Sequence, residues 1–220
     1  MNAPLCRILV ADDHDLIRRG VRALIESQPG WEVCGEAADG RSAVRMAGRL
    51  RPDVVVLDIG MPELNGIEAI RQIKAERPEA AILALSLHDS EQLVHDVLAA
   101  GARGYVLKSD ASERLVAGVR TLLEGGTFLT PLVESMVLAG YLRHDLYAGR
   151  PGPAPGALSA REREVVQLLA EGRCNKEVAS ALGISIHTAE SHRASIMRKL
   201  DLHSITELVH YAIRNGIVVA

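Results

Sequence analysis

Val54-Val55-Val56-Leu57-Asp58-Ile59-Gly60-Met61-Pro62 is the stretch from which the rest of the chain can be read. Four apolar residues in a row, three of them β-branched, suit a strand. Because no polar residue alternates with them, that strand must be covered on both faces, as in a parallel sheet. It ends in a carboxylate, and Gly60 and Pro62 then exclude any continuation.

The same pattern recurs on both sides. Ile8-Leu9-Val10-Ala11 ends in Asp12-Asp13, and further β-rich runs lie at Trp31–Glu36, Ala81–Ser86 and Gly104–Leu107. Their spacing, roughly 25 residues, is that of a βα unit, since two parallel strands must be joined by a crossover helix. Helical periodicity fills the gaps. It appears in Leu16-Ile17, Val21 and Leu24-Ile25, and again over Arg41–Leu50, Ile67–Arg77, Glu91–Ala100 and Ser112–Leu123. Five such units predict an α/β domain, a five-stranded parallel flavodoxin-like sheet between helices, over residues 1–125.

In a sheet of order 2-1-3-4-5, ligands bind beyond the carboxyl ends of strands 1 and 3, where the strand order reverses. Asp12-Asp13 and Asp58 end those two strands. Three carboxylates in one pocket repel, and a hard divalent cation relieves the repulsion. With a phosphoryl donor present, Asp58 would then be free to attack in line and become an aspartyl phosphate. Ser86 closes strand 4 and offers a hydrogen bond to a phosphoryl oxygen; Lys108 closes strand 5 and offers a point charge. Each alone is an ordinary loop residue. The weight lies in all five falling on one edge of one sheet.

Composition bounds the rest. Of 220 residues 48% are hydrophobic, enough for a packed core, while only 3% are aromatic, so that core is aliphatic. Cys6, Cys34 and Cys174 have no metal-ligand spacing, and their odd number argues against a disulfide framework. No signal peptide is visible at the N-terminus and no apolar run approaches the ~20 residues of a membrane span, so a cytoplasmic protein without membrane contact is expected.

After Gly125-Gly126 the pattern changes. Residues 126–157 read as a linker that includes one further helix, Pro131–Leu146, with Leu132, Met136 and Tyr141 on its apolar side. Gly149-Arg150-Pro151-Gly152-Pro153-Ala154-Pro155-Gly156 breaks both helix and strand. Residues 158–220 then form a small all-α domain with helices over Ala160–Glu171, Lys176–Leu182, Ile186–Leu200 and Ile205–Asn215. The joint Gly183-Ile184-Ser185, a tight turn with a capping serine, makes the middle pair a helix-turn-helix. Residues 1–130 hold 15 Lys/Arg against 19 Asp/Glu and residues 158–220 hold 8 against 7, so the charge contrast alone does not reveal a nucleic-acid binder.

The motifs together resemble a known family. Val10-Ala11-Asp12-Asp13-His14, Leu57-Asp58-Ile59-Gly60-Met61-Pro62-Glu63-Leu64-Asn65-Gly66, Ala84-Leu85-Ser86 and Gly104-Tyr105-Val106-Leu107-Lys108 resemble the receiver domain of bacterial two-component response regulators. Leu158-Ser159-Ala160-Arg161-Glu162-Arg163-Glu164-Val165, Asn175-Lys176-Glu177-Val178-Ala179 and Thr188-Ala189-Glu190-Ser191-His192-Arg193 resemble the LuxR-type helix-turn-helix of the NarL/FixJ group. The resemblance implies a transcription factor rather than a turnover enzyme. It implies that Asp58 takes a phosphoryl group from a sensor histidine kinase. It further implies that Asp13, Asp58 and the Gly60 carbonyl bind Mg²⁺ (with Mn²⁺ as a substitute), that Asp12 reaches the ion through water, and that Ser86 and Tyr105 form a switch in which Tyr105 turns inward. Ser109 stands where many receivers have proline. A homodimer on double-stranded DNA, with RNA polymerase as a further partner, is the implied output.

Helix geometry sorts the DNA contacts. At about 100° per residue, Ala189, His192, Ile196 and Leu200 share one face of Ile186–Leu200, and His187, Glu190, Ser191, Ala194 and Arg198 share the opposite one. The first is core; the second, with Thr188 near its N-terminal end, should enter the major groove. Arg193, Lys176, Arg198 and Lys199 are expected on phosphates. Glu190, where the family often has Lys, has two readings of equal weight: an acceptor for cytosine N4, or a solvated charge favoured by the helix dipole. The resemblance makes the face Ile205–Ile213, with Leu208 and Val209, a candidate dimer surface, although core packing suits Leu208 at least as well.

Three other classes are weighed. A turnover phosphatase would carry Asp-x-Asp on its first strand, where this chain has Asp12-Asp13. A small-molecule-sensing LuxR regulator would need a ligand-binding domain in place of the βα repeat. A regulator acting without phosphorylation is excluded only by experiment.

Overall fold

The computed structural model describes residues 5–146 and 158–218, with side chains omitted for 139–146. The Pro/Gly stretch 149–156 and the side chain of Tyr141 lie outside the described residues. The chain divides into two units, Met1–Tyr147 and Ala148–Ala220.

In the first unit the strands are β1 (Cys6–Ala11), β2 (Trp31–Ala37), β3 (Val54–Asp58), β4 (Ala81–Ser86), β5 (Gly104–Leu107) and β6 (Phe128–Leu129). They form one sheet in the order β2-β1-β3-β4-β5-β6, every neighbouring pair parallel. The expected α/β sheet is therefore present, with six strands instead of five. Sequence pattern missed β6 because two residues are too few to show a period. Its pairing, Gly104 with Phe128 and Tyr105 with Leu129, is a tertiary fact.

The helices are α1 (Asp15–Glu26), α2 (Gly40–Leu50), α3 (Gly66–Glu76), α4 (Glu91–Ala99), α5 (Ala111–Leu123) and α6 (Pro131–Leu146). Strand residues alternate between two cores. Ile8, Val10, Val54, Val56, Leu83, Leu85 and Val106 pack with Val21 and Ile25 of α1 and Leu115, Val119 and Leu122 of α5. Leu9, Ala11, Val55, Leu57, Ile82, Ala84 and Tyr105 pack with residues of α2, α3 and α4. Local signals start three of these helices: Asp39, Asn65 and Ser90 cap α2, α3 and α4 by accepting from Ser42, Glu68 and Leu93 N–H.

Residues 126–146, read from sequence as linker, belong to the first unit. Val133 of α6 is fully buried in the Tyr105 core and Met136 packs against it. Leu132, assigned to the apolar side, is instead 47% exposed. α6 is apolar on several sides, so its pattern could not say which side would be covered.

The second unit contains α7 (Ala160–Ala170), α8 (Asn175–Leu182), α9 (Ile186–Lys199) and α10 (Ile205–Arg214). Leu158, Val165, Leu169, Val178, Leu182, Ala189, Ile196, Leu208 and Ala212 form its core. Gly183 ends α8 at φ +63°, a left-handed conformation that costs glycine little, and Ser185 caps α9 by accepting from Thr188 N–H.

Candidate functional site

Alternation along the strands carries through to their ends. Register pairs Ala11 with Leu57, so the next residues, Asp12 and Asp58, emerge side by side. Register also pairs Ser86 with Leu107, so Lys108 follows at the same edge. Asp12, Asp58 and Lys108 continue the alternation of Val10, Val56 and Val106, which face the α1/α5 core. Ser86 continues that of Ile82 and Ala84, which face the core holding Tyr105.

The Lys108 ammonium lies 2.8 Å from Asp12 Oδ2 and 2.9 Å from Asp58 Oδ2, all three side chains at most 4% exposed. Lys108 Nζ thus bridges the two carboxylates, and hydrogen bonding and charge attraction both hold it there. Asp58 Oδ1 accepts from Gly60 N–H at 3.1 Å. Burial pushes the Asp58 carboxyl above its ordinary value, outweighing the opposing effect of Lys108. Burial pulls the Lys108 ammonium down, but its contacts with Asp12 and Asp58 outweigh that and leave it raised.

Asp13 is exposed and its carboxylate meets His14 Nδ1 at 2.7 Å. One ligand atom from each of Asp12, Asp13, His14 and Asp58 falls in a cluster within 4.8 Å. Three carboxylates against one lysine leave the site with excess negative charge. A small divalent cation fits such a donor set.

On the other side of the edge, Ser86 Oγ accepts from His88 N–H at 3.0 Å, and the Tyr105 hydroxyl donates to the His88 carbonyl at 2.6 Å. Tyr105 already lies inside, with no exposure, so in this conformation no inward turn is left for it to make. Burial pushes its phenol up to about 12, which keeps it a neutral donor at physiological pH.

Sequence reasoning missed three features here. His14 joins the acidic cluster, and its only signal was its place beside Asp13. His88 links Ser86 to Tyr105 through backbone atoms, which no sequence pattern marks. Gly66 packs under Asp58: a Cβ on it would lie 2.3 Å from the Asp58 carbonyl oxygen.

In the second unit, His187, Thr188, Glu190, Ser191, Ala194 and Arg198 are exposed on α9, while Ala189 and Ile196 are buried and His192 and Arg193 half-buried. Thr188 Oγ1 is 2.8 Å from Ser185 Oγ at the cap. Lys176 is exposed on α8. Lys199, assigned to phosphate, is committed elsewhere: its ammonium pairs with Glu162 at 2.7 Å. That partner lies 37 residues away, out of reach of a helical wheel.

Residues 8–120 match the response regulator receiver domain, and residues 156–212 match the luxR family of bacterial regulatory proteins. The chain belongs to the response regulators with a LuxR-type DNA-binding domain. It is 36% identical to the transcriptional regulatory protein LiaR of Bacillus subtilis, over 97% of this chain and 100% of that one. It is 35% identical to the oxygen regulatory protein NreC of Staphylococcus carnosus, over 96% and 99%. Among solved structures, the response regulator RcsB in complex with DNA is 27% identical over 96% of this chain and 98% of that one, with a TM-score of 0.58. A LuxR-family response regulator from Aurantimonas is 36% identical over 62% of this chain and 97% of that one, with a TM-score of 0.59. This response regulator thus couples a receiver to a DNA-binding transcription-regulatory domain. Among the described residues no helix is long and apolar enough to cross a membrane.

Proposed function

We propose that this response regulator is switched by phosphorylation of Asp58, and that the signal passes from a sensor histidine kinase to a promoter. The observation that carries the reading is Lys108, a buried ammonium that pairs with both Asp12 and Asp58 at the sheet edge. Its positive charge stands beside Asp58, where an arriving phosphoryl oxygen would bring negative charge.

Asp58 Oδ2 attacks the phosphorus of a phosphohistidine. The P–O bond forms as the P–N bond breaks, and the imidazole leaves with the electron pair. Asp12, Asp13, Asp58 and the Gly60 carbonyl would hold Mg²⁺, or Mn²⁺ in its place. When bound, the ion supplies screening of the negative charge that a phosphoryl group brings to three carboxylates. Lys108 neutralises one phosphoryl oxygen and Ser86 donates its hydroxyl proton to another. To do so Ser86 must shift, and the shift strains its bond from His88 N–H. The His88 carbonyl is also the acceptor for Tyr105, whose core includes α4 and Val133 of α6. A phosphate is thereby felt at the helix that precedes the DNA-binding unit. The chain holds its phosphate as a signal and is not a turnover enzyme.

Dimerisation completes the reading. Leu208 of α10 is fully buried, so it belongs to the core and leaves the dimer surface. Ile205 and Ile213 are 42% and 38% exposed, and with half-buried Val209 they form a stripe at four-residue spacing. That stripe is suited to a second copy, which would put two α9 helices on half-sites about one helical turn apart. A sensor kinase and RNA polymerase are the protein partners, and the cytoplasm is the compartment.

The test is selection of bound DNA from a genomic pool by wild type and Asp58→Ala. Each is run with and without Mg²⁺ and a small phosphodonor, and phosphate incorporation is measured in parallel. Wild type should incorporate phosphate and enrich a two-fold-related motif more strongly when phosphorylated; Asp58→Ala should do neither. Identical enrichment in all arms refutes the switch.

A further inference from the structure

Sequence leaves two readings for Glu190, and the structure removes the helix-dipole support from one of them. As a charge favoured by the helix dipole, it would have to stand in the first turn of α9, where that effect acts. It does not: α9 begins at Ile186, Glu190 is its fifth residue, and the first turn holds no acidic residue. As a surface charge neutralised by its own helix, it would pair with Arg193, three residues on, or with His187, three residues before. Glu190 forms no ion pair among the described residues, although it is exposed and Arg193 is at hand.

Its surroundings point outward. Glu190 shares the exposed side of α9 with His187, Ser191 and Ala194. Ala194, near the centre of that side, has no bulk to hold the helix away from a groove. A lone carboxylate entering a groove walled by phosphates is repelled by every sequence alike. Only a hydrogen-bond donor on a base edge compensates, and in the major groove that donor is an exocyclic amine, cytosine N4 or adenine N6. A single acceptor suits cytosine, whose edge offers the amine alone, while adenine sets an acceptor, N7, beside its amine.

We infer that Glu190 is the specificity-determining residue of α9, accepting from a cytosine N4 amine at one position of each half-site and rejecting other bases by uncompensated charge. The inference rests on the DNA-binding reading above.

The experiment uses the full chain, phosphorylated, in selection from random duplexes followed by affinity measurement on the enriched site and its single-base variants. Wild type should enrich a motif with cytosine at one symmetric position, and replacing that base should weaken binding about tenfold or more. Glu190→Ala should lose the preference at that position alone while binding non-matching DNA more tightly than wild type does. Glu190→Gln adds an amide donor, so its preference should move to adenine. Lys176→Ala serves as control: it should weaken binding to all sequences evenly and leave the motif unchanged. If the Ala and Gln variants enrich the wild-type motif, or if that motif has no amine-bearing base at a Glu190-dependent position, the inference is wrong and the DNA-binding reading stands. If wild type enriches nothing, both fall. Glu190 forms no ion pair among the described residues, so unchanged thermal unfolding of the variants is expected and shows that preference, not folding, was altered.

Discussion

Lys108→Met removes the cation between two buried carboxylates while keeping most of the side-chain volume. In the native site the ammonium lies 2.8 and 2.9 Å from Asp12 and Asp58. At an effective dielectric of about 20, each contact attracts by roughly 6 kcal/mol. Desolvation offsets much of this, and breaking a buried pair from one side leaves a net loss of about 3–5 kcal/mol. Urea unfolding measures it directly, because Trp31, the only tryptophan, lies in β2 and its emission reports the receiver. With a slope of about 2 kcal/mol per molar urea, the midpoint should fall by roughly 2 M.

The pH dependence follows from the shifts. Asp58 titrates above its ordinary 3.8 in the fold, so the folded state binds the extra proton. Stability from that group therefore falls as pH rises from about 3.8 through the folded value. Without Lys108 the carboxylates repel unopposed and the fall is steeper. Lys108 is raised above 10.5 in the fold, so its own contribution is present below 10.5 and is lost as pH climbs past the folded value. The gap between variant and wild type should thus be widest near neutrality and narrow toward pH 4. Millimolar Mg²⁺ should narrow it too if the ion binds as proposed, since the same carboxylates would hold it. A deficit under about 1 kcal/mol, the value of an ordinary surface pair, equal at pH 4.5 and 7.5 and indifferent to Mg²⁺, would refute the argument.

Gly66→Ala would place a Cβ 2.3 Å from the Asp58 carbonyl oxygen and 2.6 Å from Ile59 Cα, both backbone atoms that cannot swing aside. The expected cost is about 1–3 kcal/mol, with slower phosphate incorporation from a small donor; unchanged values on both counts would mean the loop relaxes freely. Tyr105→Phe deletes the donor to the His88 carbonyl but keeps the packing. It should cost about 0.5–1.5 kcal/mol and weaken the gain in DNA binding on phosphorylation, read by titrating a labelled operator with and without phosphodonor. Lys199→Ala breaks a partly exposed pair with Glu162, for which thermal unfolding should show a loss of about 0.2–1 kcal/mol. It should change DNA affinity less than Lys176→Ala, and a larger effect would return Lys199 to the phosphate contacts.

How much was legible beforehand depends on the distance over which each feature is encoded. The five longer strands announced themselves, because apolar runs bounded by Gly, Pro and Asp are local. The helices were found to within a residue or two at each end, since 3.6-residue periodicity and capping serines act inside one element. The sheet-edge site was legible for a further reason: the chain enters each parallel strand from the same end, so residues that end strands must meet at one edge. Which side of that edge each takes, with Asp12, Asp58 and Lys108 on one and Ser86 on the other, was read only from the packed sheet.

The remainder required the folded chain. A two-residue strand has no period, so β6 existed only once β5 was there to pair with it. An all-round apolar helix cannot name its buried side, and α6 chose Val133 over Leu132 because of where α4 and β6 stood. Lys199 found Glu162, and His88 joined Ser86 to Tyr105, through contacts that no spacing along the chain encodes. Sequence alone determined which chemical groups arrive at the sheet edge and on the outer side of α9. Tertiary structure decided which of them are already engaged and which stand free for a ligand. The physical reason is that periodicity is a property of one element, whereas pairing depends on the register and packing of several at once.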